Sequence, residues 1–249
     1  MRRILLTISA AALFSTPVAA GETIDPAREY PRCMALARDN PVQGWELALA
    51  WTSLGGGDPA RHCAAVALIG QGKYEEAATR LESLAQESRA EPEIRAGMLA
   101  QAGQAWLMAG QVSRADAVQT AALALVPDDV ELRIDRAVTL AEAGRHAEAL
   151  VDLDAALAID PGRADALSLR ASAHRQTGNL AAALADAEAA LKSDFSHAEA
   201  WLEYGLAKYL SGDAPAAREA WQRVLAMAPD GELAQLAQRN IEMLDISAP

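Results

Sequence analysis

Residues 198–231 read AEAWLEYGLAKYLSGDAPAAREAWQRVLAMAPDG. Trp201, Tyr204, Gly205 and Lys208 lie on one run, Gly212-Asp213 interrupts it, and Ala217, Trp221 and Val224 follow on a second run that Pro229 closes. Both runs place apolar residues at helical spacing, so the stretch predicts a helix, a tight turn and an antiparallel helix. Asp213 is placed to cap the second helix, and Pro215 suits its first turn, where a fixed φ helps and a missing donor costs nothing. A lone hairpin of this kind cannot bury its apolar faces; it needs similar hairpins on either side.

The chain supplies them at a step of 34 residues, the period of a helix-hairpin repeat. Stepping back from Pro229 reaches Phe195, Pro161 and Pro127. Gly212 returns as Gly178, Gly144 and Gly110, and Ala217 as Ala183, Ala149 and Ala115. Val224 returns as Ala190, Ala156 and Ala122. Each class has a physical reason: glycine permits a positive φ at the turn, alanine lets the helices approach, and proline stops the second helix.

This pattern resembles the tetratricopeptide repeat family, W-x2-L-G-x2-Y, then A-x3-F, then P. Residues 198–231 match at Trp201, Gly205, Ala217, Trp221 and Pro229, and depart at Tyr204 and Lys208. Residues 130–163 carry Ala137, Leu140, Ala149, Leu153 and Pro161; residues 164–197 carry Ala171, His174, Ala183 and Ala187, with Phe195 for proline. Residues 96–129 carry Gly103, Trp106, Ala115 and Pro127, and residues 58–91 form a weaker copy followed by a short insertion. The resemblance covers about two thirds of the chain and implies an all-α, right-handed α-solenoid of about five antiparallel hairpins. The repeat-packing residues are then Gly103, Trp106, Ala115, Ala149, Ala183, Trp201, Gly205, Ala217 and Trp221.

Outside the array, residues 1–20 read as a cleavable signal peptide: Arg2-Arg3, an apolar run from Ile4 to Phe14, and Val18-Ala19-Ala20 as the cleavage site. The run is too short to span a bilayer. The expected location is therefore periplasmic or secreted, without stable membrane insertion after cleavage. Residues 21–57 read as a capping helix pair, or a decayed repeat; residues 232–249 read as a capping helix and a frayed tail.

Charge excludes several partners. The chain carries 34 acids against 22 bases, a formal net charge of −12. Phosphate backbones and anionic membrane surfaces repel such a surface, so no nucleic acid partner is expected. Cys33 and Cys63 are the only cysteines. An even pair in an exported chain points to a bridge, since next-but-one helices of a stack are neighbours; the alternative is two buried thiols. The four histidines, His62, His146, His174 and His197, have no metal-ligand spacing. No cofactor or metal is expected. Asp152-Leu153-Asp154 and Asp186-Ala187-Glu188 fall on second helices and read as solvated charge. No G-x-S-x-G, P-loop or H-E-x-x-H motif occurs, so no catalytic residue is named.

The resemblance implies a concave groove lined by the first helix of each repeat. Its places 2, 5, 6, 9, 12 and 13 give Gln101, Gln104 and Leu107 in one repeat and Ile134, Asp135 and Val138 in the next. They then give Ser168, Ser172 and Arg175, and finally Leu202, Leu206 and Tyr209. A subset of the family clamps a peptide carboxylate with Lys and Asn at places 5 and 9. Here those places hold His62 and Val66, Ala100 and Gln104, then Ile134 and Val138, so the clamp is missing. A mixed apolar and neutral groove suits an amphipathic helix or extended peptide. The function expected is a non-catalytic protein-interaction adaptor of the cell envelope. An assembly factor for a secreted polymer or cell-wall complex, and an envelope enzyme or its regulatory subunit, are the alternatives.

Overall fold

A computed structural model describes residues 25–247. The proposed signal peptide lies outside the described residues. The described residues form thirteen helices and no strand, an all-α solenoid. α1 (Pro26–Asp39) and α2 (Pro41–Ser53) precede five hairpins: α3 (Gly57–Gly70) with α4 (Tyr74–Glu87), α5 (Pro92–Met108) with α6 (Val112–Leu125), and α7 (Val130–Glu142) with α8 (His146–Ile159). α9 (Ala164–Gln176) with α10 (Leu180–Ser193) and α11 (Ala198–Leu210) with α12 (Ala214–Met227) follow, and α13 (Glu232–Ser247) closes the stack. α13 extends through Ile246 and Ser247, which the sequence placed in a frayed tail.

The turns follow from backbone chemistry. Gly212 has φ 86°, the left-handed region that a side chain disfavours. There the Asp213 N–H donates to the Lys208 carbonyl (2.9 Å) and the Gly212 N–H to the Tyr209 carbonyl (3.0 Å). This satisfies the orphan carbonyls of the helix end. The Asp213 side chain then accepts from the Ala216 N–H (3.2 Å), so the three residues Ser211, Gly212 and Asp213 end α11 and start α12.

Each even-numbered helix packs against its own odd partner and against the next odd helix, and odd helices also touch one another along α5, α7, α9, α11 and α13. The odd helices thus form one continuous inner layer. The core divides into three successive clusters, around Cys33–Trp51–Cys63, around Leu81–Leu99–Trp106, and around Leu153–Trp201–Trp221. Close approach is set by small residues. Ala115, Ala149 and Ala217 are fully buried and Ala183 nearly so. A Cβ at Gly205 would lie 2.4 Å from the Trp221 ring nitrogen.

The N-terminal pair stacks on α3 as a repeat would, with α1 beside α3 and α2 between them. Its corner is different: Asn40 alone joins α1 to α2, and its side chain accepts from the Gln43 N–H. Cys33 on α1 and Cys63 on α3 form a disulfide, as expected, and both are fully buried.

The insertion before residue 96 is helical: α5 runs 17 residues where α7, α9 and α11 run 13, so residues 92–95 add a turn to its start. One expectation needs correction. The carboxylates Asp152 and Asp186 are not solvated. Asp152 is 1% exposed and binds the Arg136 guanidinium in a fork, Nε to Oδ2 at 2.7 Å and Nη2 to Oδ1 at 2.6 Å. Asp186 binds Arg170 in the same way at 2.8 Å twice. The third nitrogen of each arginine reaches the preceding hairpin, at Thr120 from Arg136 and at Asp154 from Arg170. Each fork clamps the two helices of its own hairpin, because a bidentate guanidinium–carboxylate pair fixes geometry as well as charge, and the third nitrogen ties that hairpin to the one before.

Gln119 occupies the place that Leu153 and Trp221 hold in later repeats. It is fully buried against Gly103, and both polar atoms of its amide lack a partner among the described residues. An unsatisfied buried amide costs about 1–3 kcal/mol. Gln119→Leu is therefore expected to stabilise the protein by about that amount in urea denaturation. A destabilised variant would show that the amide is satisfied.

Candidate functional site

The inner face brings the groove residues together unequally. Ile134, Ser168 and Leu202, at place 5 of their repeats, are buried between adjacent odd helices. They are packing residues, a correction to their placement in an open groove. In these three repeats the neighbouring elements cover place 5, whereas at the same place Ala100 is half-buried and His62 lines a pocket. Leu206 is half-buried against the C-terminal core cluster. Tyr209 is 36% exposed, with its ring 6.0 Å from Trp221, and Gln104 is exposed. Leu107, Val138, Ser172 and Arg175 are intermediate.

The polar members are tied to one another across helices. Arg175 donates to both carboxylate oxygens of Glu203, at 2.7 and 3.1 Å, and to the Ser172 hydroxyl at 3.3 Å. Gln104 Nε2 donates to Asp135 at 3.0 Å. Burial pushes the Asp135 carboxyl above the ordinary carboxylate range, Glu131 and Asp129 nearby push the same way, and the Gln104 bond opposes them.

Gln101 leads to a feature that the sequence did not disclose. Its Oε1 lies 2.9 Å from His62 Nε2, and His62 Nδ1 lies 2.8 Å from the Tyr30 hydroxyl. With the Gln101 oxygen as acceptor, the imidazole carries its proton on Nε2 and accepts from Tyr30 through Nδ1. This chain from α1 through α3 to α5 floors a pocket of about 520 Å³. Pro59, Ala90, Ile94, Gly97 and Met98 also line it, with the polar Asp58 and Ser88. Two departures from the repeat build it: Tyr30 comes from the N-terminal pair and Ile94 from the added turn of α5. Sequence reasoning missed it because it sits where the register breaks; the insertion itself was the signal.

His62 is nearly buried, and burial pushes its imidazole below the ordinary 6.5, with the Gln101 bond acting the other way. The unfolded chain then takes up the proton first. The stability contributed by neutral His62 is complete above about pH 6.5 and is lost as pH falls through that value toward the lower folded pKa. Wild type is expected to lose more stability than His62→Gln between about pH 7.5 and 5.5 in urea denaturation. Equal losses would show that His62 is freely solvated.

Among the described residues no three His, Cys, Asp or Glu side chains converge to hold a metal, and no helix is long and apolar enough to cross a membrane.

The comparisons agree with this architecture. MamA 41-end from Desulfovibrio magneticus RS-1 superposes with a TM-score of 0.61 at 22% identity, covering 68% of this chain and 94% of that one. YrrB, described as a TPR protein with an unusual peptide-binding site, superposes with a TM-score of 0.57 at 19% identity, covering 76% of this chain and 96% of that one. At these identities the likeness shows the fold alone. No curated protein matches the chain. The tetratricopeptide repeat profile matches residues 101–164 and 168–232, just over half of the sequence, in the register that the glycines, alanines and prolines set. The chain belongs to the tetratricopeptide repeat family.

Proposed function

We propose that the protein is a non-catalytic adaptor of the cell envelope that binds a segment of a partner protein along its odd-helix face. The observation that carries this reading is the unfilled inner layer. Odd helices run side by side over the array and present side chains that the core leaves exposed or half-exposed, among them Gln104, Val138 and Tyr209. They also frame a largely apolar pocket. Ligand sites are concave and mostly apolar with a few convergent polar groups, and this face has both properties. The peptide-binding site named for YrrB, a protein of the same fold, favours a peptide occupant. The envelope location rests on the signal-like sequence of residues 1–20 and on the Cys33–Cys63 bridge, which fits an oxidising compartment.

The test is a pull-down from envelope extract with the protein lacking residues 1–20, followed by titration of the recovered partner. Tyr209→Ala combined with Gln104→Ala should weaken binding by about 2–4 kcal/mol if they are central contacts, with far-UV circular dichroism unchanged. A folded double variant that binds as wild type does would place the partner on another surface.

A further inference from the structure

The pocket and Asp135 lie next to one another on the inner face, and together they specify more than a generic peptide. The floor of the pocket is fixed: Tyr30, His62 and Gln101 satisfy one another, so the space above is left to Pro59, Ile94 and Met98. Ile94 is 54% exposed although it stands at the rim of a cavity. A volume of about 520 Å³ exceeds any single side chain and falls within the ~300–1,000 Å³ of ligand pockets. One helical turn along α5, Gln104 holds Asp135. That carboxylate forms no ion pair with any cation among the described residues, and its charged neighbours Glu131 and Asp129 are also acidic. Arg136, the next residue on α7, is committed to Asp152. The inner face therefore offers an apolar socket and, beside it, an unneutralised carboxylate in a chain of net charge −12.

We propose that this end of the groove takes an extended segment of a partner protein that seats a bulky apolar side chain against Ile94 and Met98 and places a lysine or arginine on Asp135. The proposal rests on the adaptor reading above and names the chemistry of its partner. The spacing follows from geometry. Ile94 and Met98 precede Gln104 on α5 by ten and six residues, about 9–15 Å along the axis at about 1.5 Å per residue, and side chains on one side of an extended chain recur about every 6.6–7 Å. The apolar residue and the base should thus be about four positions apart. A half-buried carboxylate without a cation gains on pairing, and the base gains a partly desolvated partner, so the contact selects for charge and sign.

The structure provides a blocking variant that should not harm the fold. Gly97 lines the pocket, lies in the interior of α5, and a Cβ built there meets nothing within 4 Å. Gly97→Leu fills the socket and improves helix propensity. Asp135→Asn removes the charge while its side-chain oxygen still accepts from Gln104.

The probe is a phage-displayed library of random peptides about twelve residues long, selected on the described chain with its disulfide intact. The consensus peptide is then synthesised and titrated by fluorescence anisotropy. Enriched peptides should pair a bulky apolar residue with Lys or Arg about four positions away. Gly97→Leu should weaken the consensus peptide at least tenfold at an equal or higher thermal midpoint. Asp135→Asn should weaken it about tenfold, and should do so less for a peptide whose base is replaced by Gln. Three results would overturn the proposal. If enriched peptides lack the base and apolar pair and ignore both substitutions yet weaken with Tyr209→Ala, the adaptor reading stands and the assigned chemistry falls. If no peptide is enriched, both fall. If wild type self-associates and Gly97→Leu abolishes that, a second copy occupies the socket.

Discussion

Trp221→Ala should lower the unfolding free energy by about 3–5 kcal/mol, the range for emptying a buried aromatic site. The ring is 1% exposed, its Nε1 donates to the Leu202 carbonyl at 3.4 Å, and it lies against Gly205 at the crossing of α11 and α12. Gly205 provides an internal control. Gly205→Ala gains about 0.8–1 kcal/mol of helix propensity. It also drives a Cβ to within 2.4 Å of the buried ring, and overpacking of this kind costs about 1–3 kcal/mol. The clash should prevail in the wild-type background, so the single variant should be less stable. With the ring removed the clash disappears, and the same substitution in Trp221→Ala should be neutral or favourable. Such non-additivity is the mark of a direct contact. Strictly additive effects in urea denaturation would show that the two residues do not pack as described.

Reducing the disulfide, or replacing it by Cys33→Ser with Cys63→Ser, should lower stability by about 3 kcal/mol. The bridge closes a sequence separation of 30 residues, and the estimate follows from the conformational freedom that it removes from the unfolded chain. Both sulfurs belong to the N-terminal cluster with Trp51, separate from the clusters around Trp106 and Trp221. The stack behaves as a chain of nearest-neighbour contacts. Amide exchange should accordingly quicken in α1 and α2 while α11 and α12 keep their protection. Exchange that rises equally over the whole protein would show one cooperative core instead. The prediction reaches the pocket, since the bridge holds on α3 the helix that carries Tyr30.

The repeat was legible because it is enforced by backbone and volume. Gly212 must adopt a positive φ, Ala217 must admit a neighbouring helix, and such demands recur wherever the geometry does. The disulfide was legible from the pairing of cysteines on next-but-one helices. The arginine forks were not, although their signal was present: Arg136 and Arg170 recur at the repeat step, as do Asp152 and Asp186. A carboxylate on a second helix reads as solvated unless the arginine on the facing helix is read with it. Gln119 resembles an ordinary polar residue until the register places it where Leu153 and Trp221 sit. The groove was half legible. The pattern picked out the helices that touch one another along the stack, but the packing that buries Ile134, Ser168 and Leu202 is a property of the superhelix. The pocket was illegible because an added turn and a helix from outside the array create it together.

The central claim is that recognition occurs on the odd-helix face. Amide hydrogen exchange, measured with and without the partner from the envelope pull-down, tests it most directly. Added protection should concentrate in α3, α5, α7, α9 and α11, with α4, α6, α8, α10 and α12 exchanging as in the free protein. Protection confined to the even-numbered helices would contradict the account.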